Sequence, residues 1–174
     1  MTCIVGIAKN GIVYMGGDRG ASDGSSILPL CRPKIVKINN YLVGYAGSQG
    51  IGQLAHMIDL PTIPNNKNVT KTLRTTFIKS LKNAVEEFGN ASVNEDNSTD
   101  WLVGIHGRLF EITSEDWQVS EFEETSIGSG NYIALGSLHT SRSWKDQEKR
   151  IRYSLQAAVD ISPSCLGPLD IYKI

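Results

Sequence analysis

The sequence is poor in cysteine, has no long apolar run and carries no excess of charge, and each absence excludes a class of protein. Its three cysteines, Cys3, Cys31 and Cys165, are odd in number and lack a CxxC spacing, so we expect no disulfide framework and a reducing, cytoplasmic location. No apolar segment approaches the roughly 20 residues that span a bilayer, and no positively charged leader is seen, so neither a membrane nor a signal peptide is expected. The net charge of -1 and the lack of basic runs argue against a nucleic-acid partner.

What remains is an ordinary globular composition. The chain has 174 residues, of which 40% are hydrophobic and 20% charged, and this is enough to bury a substantial core. We therefore expect one domain over residues 1–174. His56, His106 and His139 are scattered without metal-ligand spacing, so we expect no metal and no other cofactor.

The clearest structural signal is a β-hairpin at the start of the chain. Two apolar runs, 3–8 and 12–17, flank Asn10-Gly11, a dipeptide whose two residues tolerate the positive φ of a two-residue hairpin turn. Both runs are apolar enough to be buried on both faces. Once Met1 is removed, Thr2 presents a free amine and a hydroxyl at the end of a buried strand, and such a pair can activate a weak nucleophile.

Hydrophobic periodicity predicts the remaining elements. Strands are predicted at 34–38, 41–47, 101–106, 108–113, 118–122 and 169–174. Helices are predicted at 51–60, at 70–88 with Thr70 as the cap, and from a cap at Asp146 to residue 159, with a polar loop at 90–100 and a strand-to-helix junction over 126–138. Strands at both ends and helices between them predict a layered α+β domain in which two sheets pack together with helices outside.

Several short motifs follow one another in a recognisable order after Thr2. They are Gly16-Gly17-Asp18, Lys34 sixteen residues later, Gly44-Tyr45-Ala46-Gly47-Ser48, Ser126-Ile127-Gly128-Ser129-Gly130-Asn131-Tyr132, and Gly167-Pro168-Leu169-Asp170-Ile171. This order resembles that of proteasome β-type subunits and of the bacterial proteasome-like threonine peptidases, and it covers nearly the whole chain. The resemblance implies the N-terminal-nucleophile hydrolase fold, a four-layer αββα sandwich of two antiparallel sheets flanked by helices.

The resemblance also implies five catalytic residues. Thr2 would be the nucleophile, and its own α-amine would be the general base. Lys34 would lie beside Thr2, favour the neutral amine and be held in place by Asp18. Gly44 matches the glycine whose backbone N–H forms the oxyanion hole, and Ser129 matches the serine that bonds near the amine and helps to relay the proton.

Three further positions match substrate contacts in the family. Ser22 and Ala46 match positions whose backbones pair with an extended peptide, as an added strand would. Leu42 matches the floor of a pocket, which would favour an apolar or undemanding P1 side chain.

The chain departs from the family pattern near its C-terminal end. Ser162 and Cys165 stand where many relatives carry an aspartate and a serine, and Asp160 is the nearest acid. Relatives often bind a cation in this loop, but we expect none here.

The leading hypothesis is a threonine endopeptidase that cleaves peptides or unfolded proteins through an acyl-enzyme on Thr2 after loss of Met1. Relatives assemble as rings, so a homo-oligomeric ring is expected, and a ring ATPase partner is left open. Two alternatives also stay open. One is an N-terminal-nucleophile amidohydrolase of small amides, and the other is a catalytically inactive structural or binding subunit that has kept the fold.

Overall fold

A computed structural model describes residues 2–22, 25–65, 68–88 and 98–174. The strands are β1 (Ile4–Lys9), β2 (Ile12–Gly17), β3 (Gly20–Ser22), β4 (Ile27–Pro29), β5 (Ile35–Ile38), β6 (Tyr41–Gly47), β7 (Thr99–Ile105), β8 (Arg108–Thr113), β9 (Val119–Phe122), β10 (Glu124–Ile127) and β11 (Asp170–Lys173). The α-helices are α1 (Gln49–Leu54), α2 (Val69–Thr72), α3 (Ile78–Phe88), α4 (Asn131–Thr140) and α5 (Gln147–Ile161), with a π-helical turn over Leu73–Phe77 between α2 and α3.

The strands form two main antiparallel sheets and a small ribbon. One sheet has four strands in the order β10-β1-β2-β11, and the other has five in the order β5-β6-β7-β8-β9. Strands β3 and β4 make the separate two-stranded ribbon. Within the described ranges, no helix has the length and apolar character that crossing a bilayer requires.

Three apolar layers hold the sheets and helices together. One face of the five-stranded sheet packs on α1, α2 and α3, and Tyr41 stacks there on Phe77 with ring centroids 6.1 Å apart. The opposite face meets the four-stranded sheet, where Met15 of β2 and Leu42 of β6 are fully buried. Val5 and its neighbours on the outer face of the four-stranded sheet pack on α4 and α5. The predicted αββα sandwich is therefore confirmed.

The N-terminal hairpin is also confirmed. Strands β1 and β2 pair from Ile4↔Gly17 to Lys9↔Ile12, and the turn residues Asn10 and Gly11 have φ values of 52° and 76°. Ile4 faces the other sheet while Val5 faces the helices, so the strand is buried on both faces as its continuous apolar run predicts.

The structure adds a strand, β10, to the prediction for residues 118–130 and shows which sheet each strand joins. Strand β9 pairs with β8 at the edge of the five-stranded sheet, whereas β10 pairs with β1 in the four-stranded sheet. Only Glu123 separates them, so the chain crosses between the two sheets within one residue. The sequence predicts a strand at 118–122 and a strand-to-helix junction over 126–138, but local sequence does not record which sheet supplies each pairing partner.

All three predicted helices differ from prediction in at least one boundary, and α5 ends at Ile161, two residues beyond the predicted 159. Helix α1 ends at Leu54, before the predicted 60. The predicted 70–88 helix exists, but Asn68 caps it by accepting a hydrogen bond from Lys71 N at 3.0 Å, and a π-helical turn interrupts it. Its predicted end at residue 89 and most of the 90–100 loop lie outside the described residues. The α5 cap is confirmed, because Asp146 Oδ1 accepts from Lys149 N at 3.0 Å.

Candidate active site

Thr2 lies directly before β1 and is held at both of its backbone ends. Because Ile4 pairs with Ile127 of β10, the residues that follow β10 run past Thr2. Its backbone N donates to Ser129 Oγ at 3.2 Å, and its carbonyl accepts from Gly130 N at 3.2 Å. Thr2 is only 3% exposed, but Ser129 is exposed, so solvent reaches the site from the Ser129 side.

Asp18 and Lys34 form a buried ion pair beside Thr2. Lys34 Nζ donates to Asp18 Oδ1 at 3.0 Å and to Thr2 Oγ1 at 2.9 Å, and neither charged side chain is exposed. Three backbone N–H groups also donate to the Asp18 carboxylate, from Cys3 at 2.9 Å, Gly20 at 2.8 Å and Leu166 at 3.1 Å. The carboxylate is therefore fixed by the hairpin, the β3 ribbon and the C-terminal loop together.

Burial changes the acid strength of Lys34. It lowers the pKa of Lys34, because the ammonium loses its hydration, while the charge of Asp18 and its hydrogen bond act in the opposite direction. A cation 2.9 Å from Thr2 Oγ1 in a site of low dielectric stabilises an alkoxide at that oxygen far more than the same contact in water.

Gly128 lets the loop after β10 approach Thr2. Its φ is 93°, and a Cβ placed on it would lie 2.3 Å from the Thr2 carbonyl oxygen and 3.0 Å from Ala46 Cβ. Only glycine fits this backbone conformation and this close contact. The same contacts show that the end of β6, at Ala46, lies next to Thr2.

Gly44 does not lie where the resemblance implies, and the prediction of an oxyanion donor at Gly44 is corrected. It is in the middle of β6, opposite Leu102 of β7, and a Cβ there would meet Met15 Sδ at 3.2 Å. Successive N–H groups of a strand point in opposite directions. Tyr45 N donates towards β5, to Lys34 O at 3.3 Å, so the Gly44 N–H points towards β7 and belongs to the sheet.

The backbone N–H of Gly47, at the end of β6, points away from β7, unlike the N–H of Gly44. Its N–H points the same way as that of Tyr45, past the end of β5 and towards the edge where Lys34 begins. Its φ is 120°, and a Cβ would lie 2.2 Å from Ser98 O, so only glycine is accommodated. The motif order contains both Gly44 and Gly47, and spacing alone does not show which of two glycines three residues apart has its N–H directed towards this edge.

The predicted substrate contacts lie in different surroundings. Ala46 is buried near Thr2, and Ser22 is half-buried at the end of β3, directly before residues 23 and 24, which lie outside the described ranges. Leu42 is fully buried between the two sheets, so the prediction that it forms a pocket floor is corrected. The side chains of β6 alternate between faces, and Leu42 is on the one that packs against the other sheet.

An open cavity lies on the other face of β6, next to the segment that leads into Lys34. Its volume is about 520 Å³. It is lined by Leu30, Cys31, Arg32, Pro33, Tyr45, Gln53, His56 and Met57. A second cavity of about 600 Å³ lies at the far end of β1, around Lys9 and Trp144, roughly 20 Å from Thr2 along a six-residue strand.

The C-terminal loop holds Asp18 through its backbone. Ser162 Oγ accepts from Ser164 N at 3.2 Å, which stabilises the turn after α5. Asp160 is exposed and bonds to Gln156 at 2.6 Å, so it does not reach the site. Cys165 is buried beside Cys3. In the described part of the chain, no group of three or more histidine, cysteine or acidic residues is placed to hold a metal.

Arg19 and Asp170 form a clamp that the sequence did not predict. Arg19 Nε and Nη2 donate to the two carboxylate oxygens of Asp170 at 2.6 Å each, and Arg19 N donates to Leu166 O at 2.9 Å. This bidentate pair ties β11 and the C-terminal loop to the residue that follows Asp18. The sequence does show an arginine next to Asp18, but it does not indicate the partner of that arginine, which is 151 residues away.

Solved structures share this fold. The chain superimposes on Thiobacillus denitrificans BPH in complex with epoxomicin with a TM-score of 0.84 at 19% identity, covering 99% of this chain and 98% of that one. It matches HslV from Trypanosoma brucei with a TM-score of 0.71 at 20% identity, covering 99% and 98%. Anbu from Yersinia bercovieri also gives 0.71, at 17% identity, covering 100% and 81%. Two facing sheets between helical layers, with a threonine before the first strand, define an N-terminal-nucleophile hydrolase fold.

Sequence comparison identifies the family within that class. The chain is 30% identical over 184 residues to a proteasome subunit beta of Frankia casuarinae, covering 99% of this chain and 67% of that protein. A proteasome subunit beta of Parafrankia sp. matches with the same identity and coverage. No family model matches the chain. The chain belongs to the proteasome β-subunit family.

Proposed function

We propose that this protein is a threonine endopeptidase whose nucleophile is Thr2 Oγ1. The observation that carries the proposal is the contact between Lys34 Nζ and Thr2 Oγ1 at 2.9 Å, inside a buried site where Lys34 is also paired with Asp18. A surface lysine would be solvated and mobile, whereas this cation is fixed on one hydroxyl oxygen. That arrangement is what activation of an alcohol requires.

Removal of Met1 is the first requirement of the mechanism. In the full sequence, the Thr2 nitrogen is a peptide nitrogen that donates to Ser129 Oγ. After removal it becomes an α-amine, with an ordinary pKa of about 7.7–8.0, and the positive charge of Lys34 favours its neutral form. The neutral amine then accepts the hydroxyl proton, while Ser129 orients the amine and Lys34 stabilises the alkoxide.

The alkoxide then attacks the carbonyl carbon of the scissile peptide bond. The developing oxyanion accepts a hydrogen bond from the N–H of Gly47, which we propose in place of Gly44. One such donor contributes about 2.7–4 kcal/mol to transition-state stabilisation. The protonated amine delivers its proton to the leaving nitrogen, an ester forms on Thr2, and water activated by the same amine hydrolyses that ester.

Substrate binding uses the strand edges and the cavity near Lys34. Ala46 near the end of β6 lies next to Thr2, and Ser22 lies at the end of β3. An extended peptide would lie between these two strands as an added strand. The 520 Å³ cavity would take a substrate side chain. Its wall combines apolar Leu30 and Met57 with polar Gln53 and Arg32, whereas Leu42 at the pocket floor predicted an apolar or undemanding P1 side chain.

We also infer that the chain assembles as a homo-oligomeric ring. Large apolar side chains are exposed on α4 and α5, with exposed fractions of 83% for Tyr132, 55% for Tyr153 and 68% for Ile161, and burial in a subunit contact would remove them from water. A ring ATPase, where one assists, would act on protein substrates and not on short peptides. Native mass spectrometry tests the assembly, and a monomer at micromolar concentration would contradict it.

The cysteines are free thiols, as a cytoplasmic location requires.

Reaction with epoxomicin tests the nucleophile. An epoxyketone needs a hydroxyl and a free amine on one residue, so intact mass should show loss of Met1 and one adduct per chain, mapped to Thr2. Thr2→Ala should abolish both the adduct and peptide hydrolysis, whereas Thr2→Ser, which keeps both groups, should retain them. Adduct formation on Cys31 in place of Thr2 would refute the assignment.

The same measurements separate the two alternatives. A small-amide hydrolase would react at Thr2 but would not turn over faster as the peptide is extended. A non-catalytic subunit would keep Met1 and form no adduct.

A further inference from the structure

Two buried thiols lie directly behind the candidate active site. Cys3 follows Thr2 and is 0% exposed, and Cys165 precedes Leu166 and is 4% exposed. Both pack on Gly130, where an added Cβ would lie 2.7 Å from Cys165 Sγ and 2.9 Å from Cys3 Cβ. Cys3 Sγ lies 3.7 Å from Ser126 Oγ, and the two cysteine side chains are neighbours that influence each other's pKa. The proposed mechanism uses neither sulfur.

The surroundings of the two sulfurs give them different acidities. The neighbouring Cys165 thiol and burial raise the pKa of the Cys3 thiol, so Cys3 stays protonated. The neighbouring Cys3 thiol lowers the pKa of Cys165; the Ser162 hydroxyl and the positive charge of Lys34 act in the same direction, whereas burial and the negative charge of Asp18 oppose it. Cys165 is therefore the more nucleophilic sulfur of the pair.

We propose that Cys3 and Cys165 form a peroxide-sensitive pair whose disulfide inactivates the site. Formation of the disulfide is independent of the proposed function, but its effect on activity rests on that function. The cysteine count predicts no structural disulfide. The proposed disulfide is reversible and does not conflict with that prediction, because disulfides in a reducing compartment are usually regulatory or catalytic.

The chemistry needs hydrogen peroxide as the two-electron oxidant. The Cys165 thiolate attacks one peroxide oxygen, the O–O bond breaks, and the leaving hydroxide takes a proton to become water, which leaves a sulfenic acid on Cys165. The Cys3 sulfur then attacks Cys165 Sγ, the S–S bond forms and the S–O bond breaks. The departing hydroxide takes the Cys3 proton, so one peroxide and two thiols give one disulfide and two waters.

Both cysteines are connected by their backbones to the residue that fixes Lys34. Cys3 N and Leu166 N donate to opposite oxygens of Asp18, at 2.9 Å and 3.1 Å. Disulfide formation would bring the two sulfurs to about 2.05 Å from each other, and the two segments would move with them. Such a displacement would alter the Asp18 contacts and hence the position of Lys34 Nζ on Thr2 Oγ1.

The test uses the full-length protein with Cys31→Ser, because Cys31 is exposed and would otherwise react with peroxide itself. After treatment with hydrogen peroxide, denaturation and alkylation with N-ethylmaleimide, tryptic mapping should join the peptide 2–9 to the peptide 153–173. Peptide turnover should fall at least tenfold and return with dithiothreitol. In Cys31→Ser/Cys165→Ser, the ratio of activity after peroxide to activity before it should stay near one.

Three results would overturn the inference. Separate alkylation of both thiols after peroxide would show that no pair forms, and this readout holds even if the protein proves to have no peptidase activity. A Cys3–Cys165 crosslink with unchanged turnover would refute the inactivating role. Loss of turnover that persists in the Cys165→Ser variant would assign peroxide sensitivity to another residue and would also refute it.

Discussion

Replacing Asp18 with asparagine removes one charge while keeping the size of the side chain. In the protein, the Asp18 carboxylate accepts from Lys34 Nζ and from the backbone N–H groups of Cys3, Gly20 and Leu166. The carboxamide of the Asp18→Asn variant would keep one acceptor oxygen and present an NH₂ to groups that are themselves donors. The Lys34 ammonium would stay buried, at 1% exposure, without its counter-charge.

The expected loss of stability is large, and it is larger when Asp18 is replaced than when Lys34 is replaced. Removing one member of a buried ion pair typically costs about 3–5 kcal/mol, and we expect this for Asp18→Asn. Lys34→Met leaves the carboxylate with its three backbone donors, so we expect a smaller loss of about 1–3 kcal/mol. For a domain of this size, each kcal/mol lowers Tm by about 2–4 °C, so Asp18→Asn should lower Tm by roughly 6–20 °C.

Thermal and urea unfolding followed by circular dichroism measure these differences at one fixed protein concentration, since assembly makes Tm depend on concentration. Lys173→Met is the matched control, because its ion pair with Glu148 is largely exposed and its removal should leave stability nearly unchanged. An Asp18→Asn protein no less stable than Lys173→Met, or less affected than Lys34→Met, would refute the buried-pair argument.

The contacts of Lys34, Gly128 and Asp146 make further substitutions informative. Burial lowers the pKa of Lys34 below its ordinary 10.5, and the ammonium form is the active one. As the pH rises, Lys34 should therefore lose its proton, and kcat should begin to fall, at a pH below 10.5. Lys34→Arg should lose this alkaline decline in a pH-rate profile, because a guanidinium stays charged throughout this range, and a retained decline would contradict the assignment. Gly128→Ala should cut kcat at least tenfold, because its Cβ would meet the Thr2 carbonyl oxygen at 2.3 Å. Gly136→Ala is the control: a Cβ there meets no atom within 4 Å, so it should leave kcat unchanged and stabilise α4 by up to about 1 kcal/mol. Equal kinetics for the two variants would contradict the steric argument. Asp146→Ala removes the α5 cap and should cost about 0.5–2 kcal/mol in urea unfolding, with no change in m-value.

Local chemistry made several features predictable from the sequence. Asn10-Gly11 specified the first hairpin because both residues tolerate positive φ, and Asp146 specified the start of α5 because its carboxylate satisfies a free N–H. The order of motifs was enough to name Thr2, Asp18, Lys34 and Ser129, which the structure brings together across separations of up to 127 residues.

Other features depended on contacts between distant segments. Which sheet accepts β10, where α1 ends and which partner Arg19 finds are not written in any local pattern. The orientation of the Gly44 and Gly47 N–H groups became clear only when β5 and β7 were placed on either side of β6.

Turns, caps and the set of reactive residues could thus be read from the chain alone, because each depends on the conformational preference or chemistry of a few neighbouring residues. The folded arrangement was needed to show which face each β6 side chain occupies, which backbone N–H is left to meet a substrate, and that Cys3 meets Cys165. Those outcomes depend on strand register and sheet packing, and a shift of one residue would reverse them while leaving the local sequence signals unchanged.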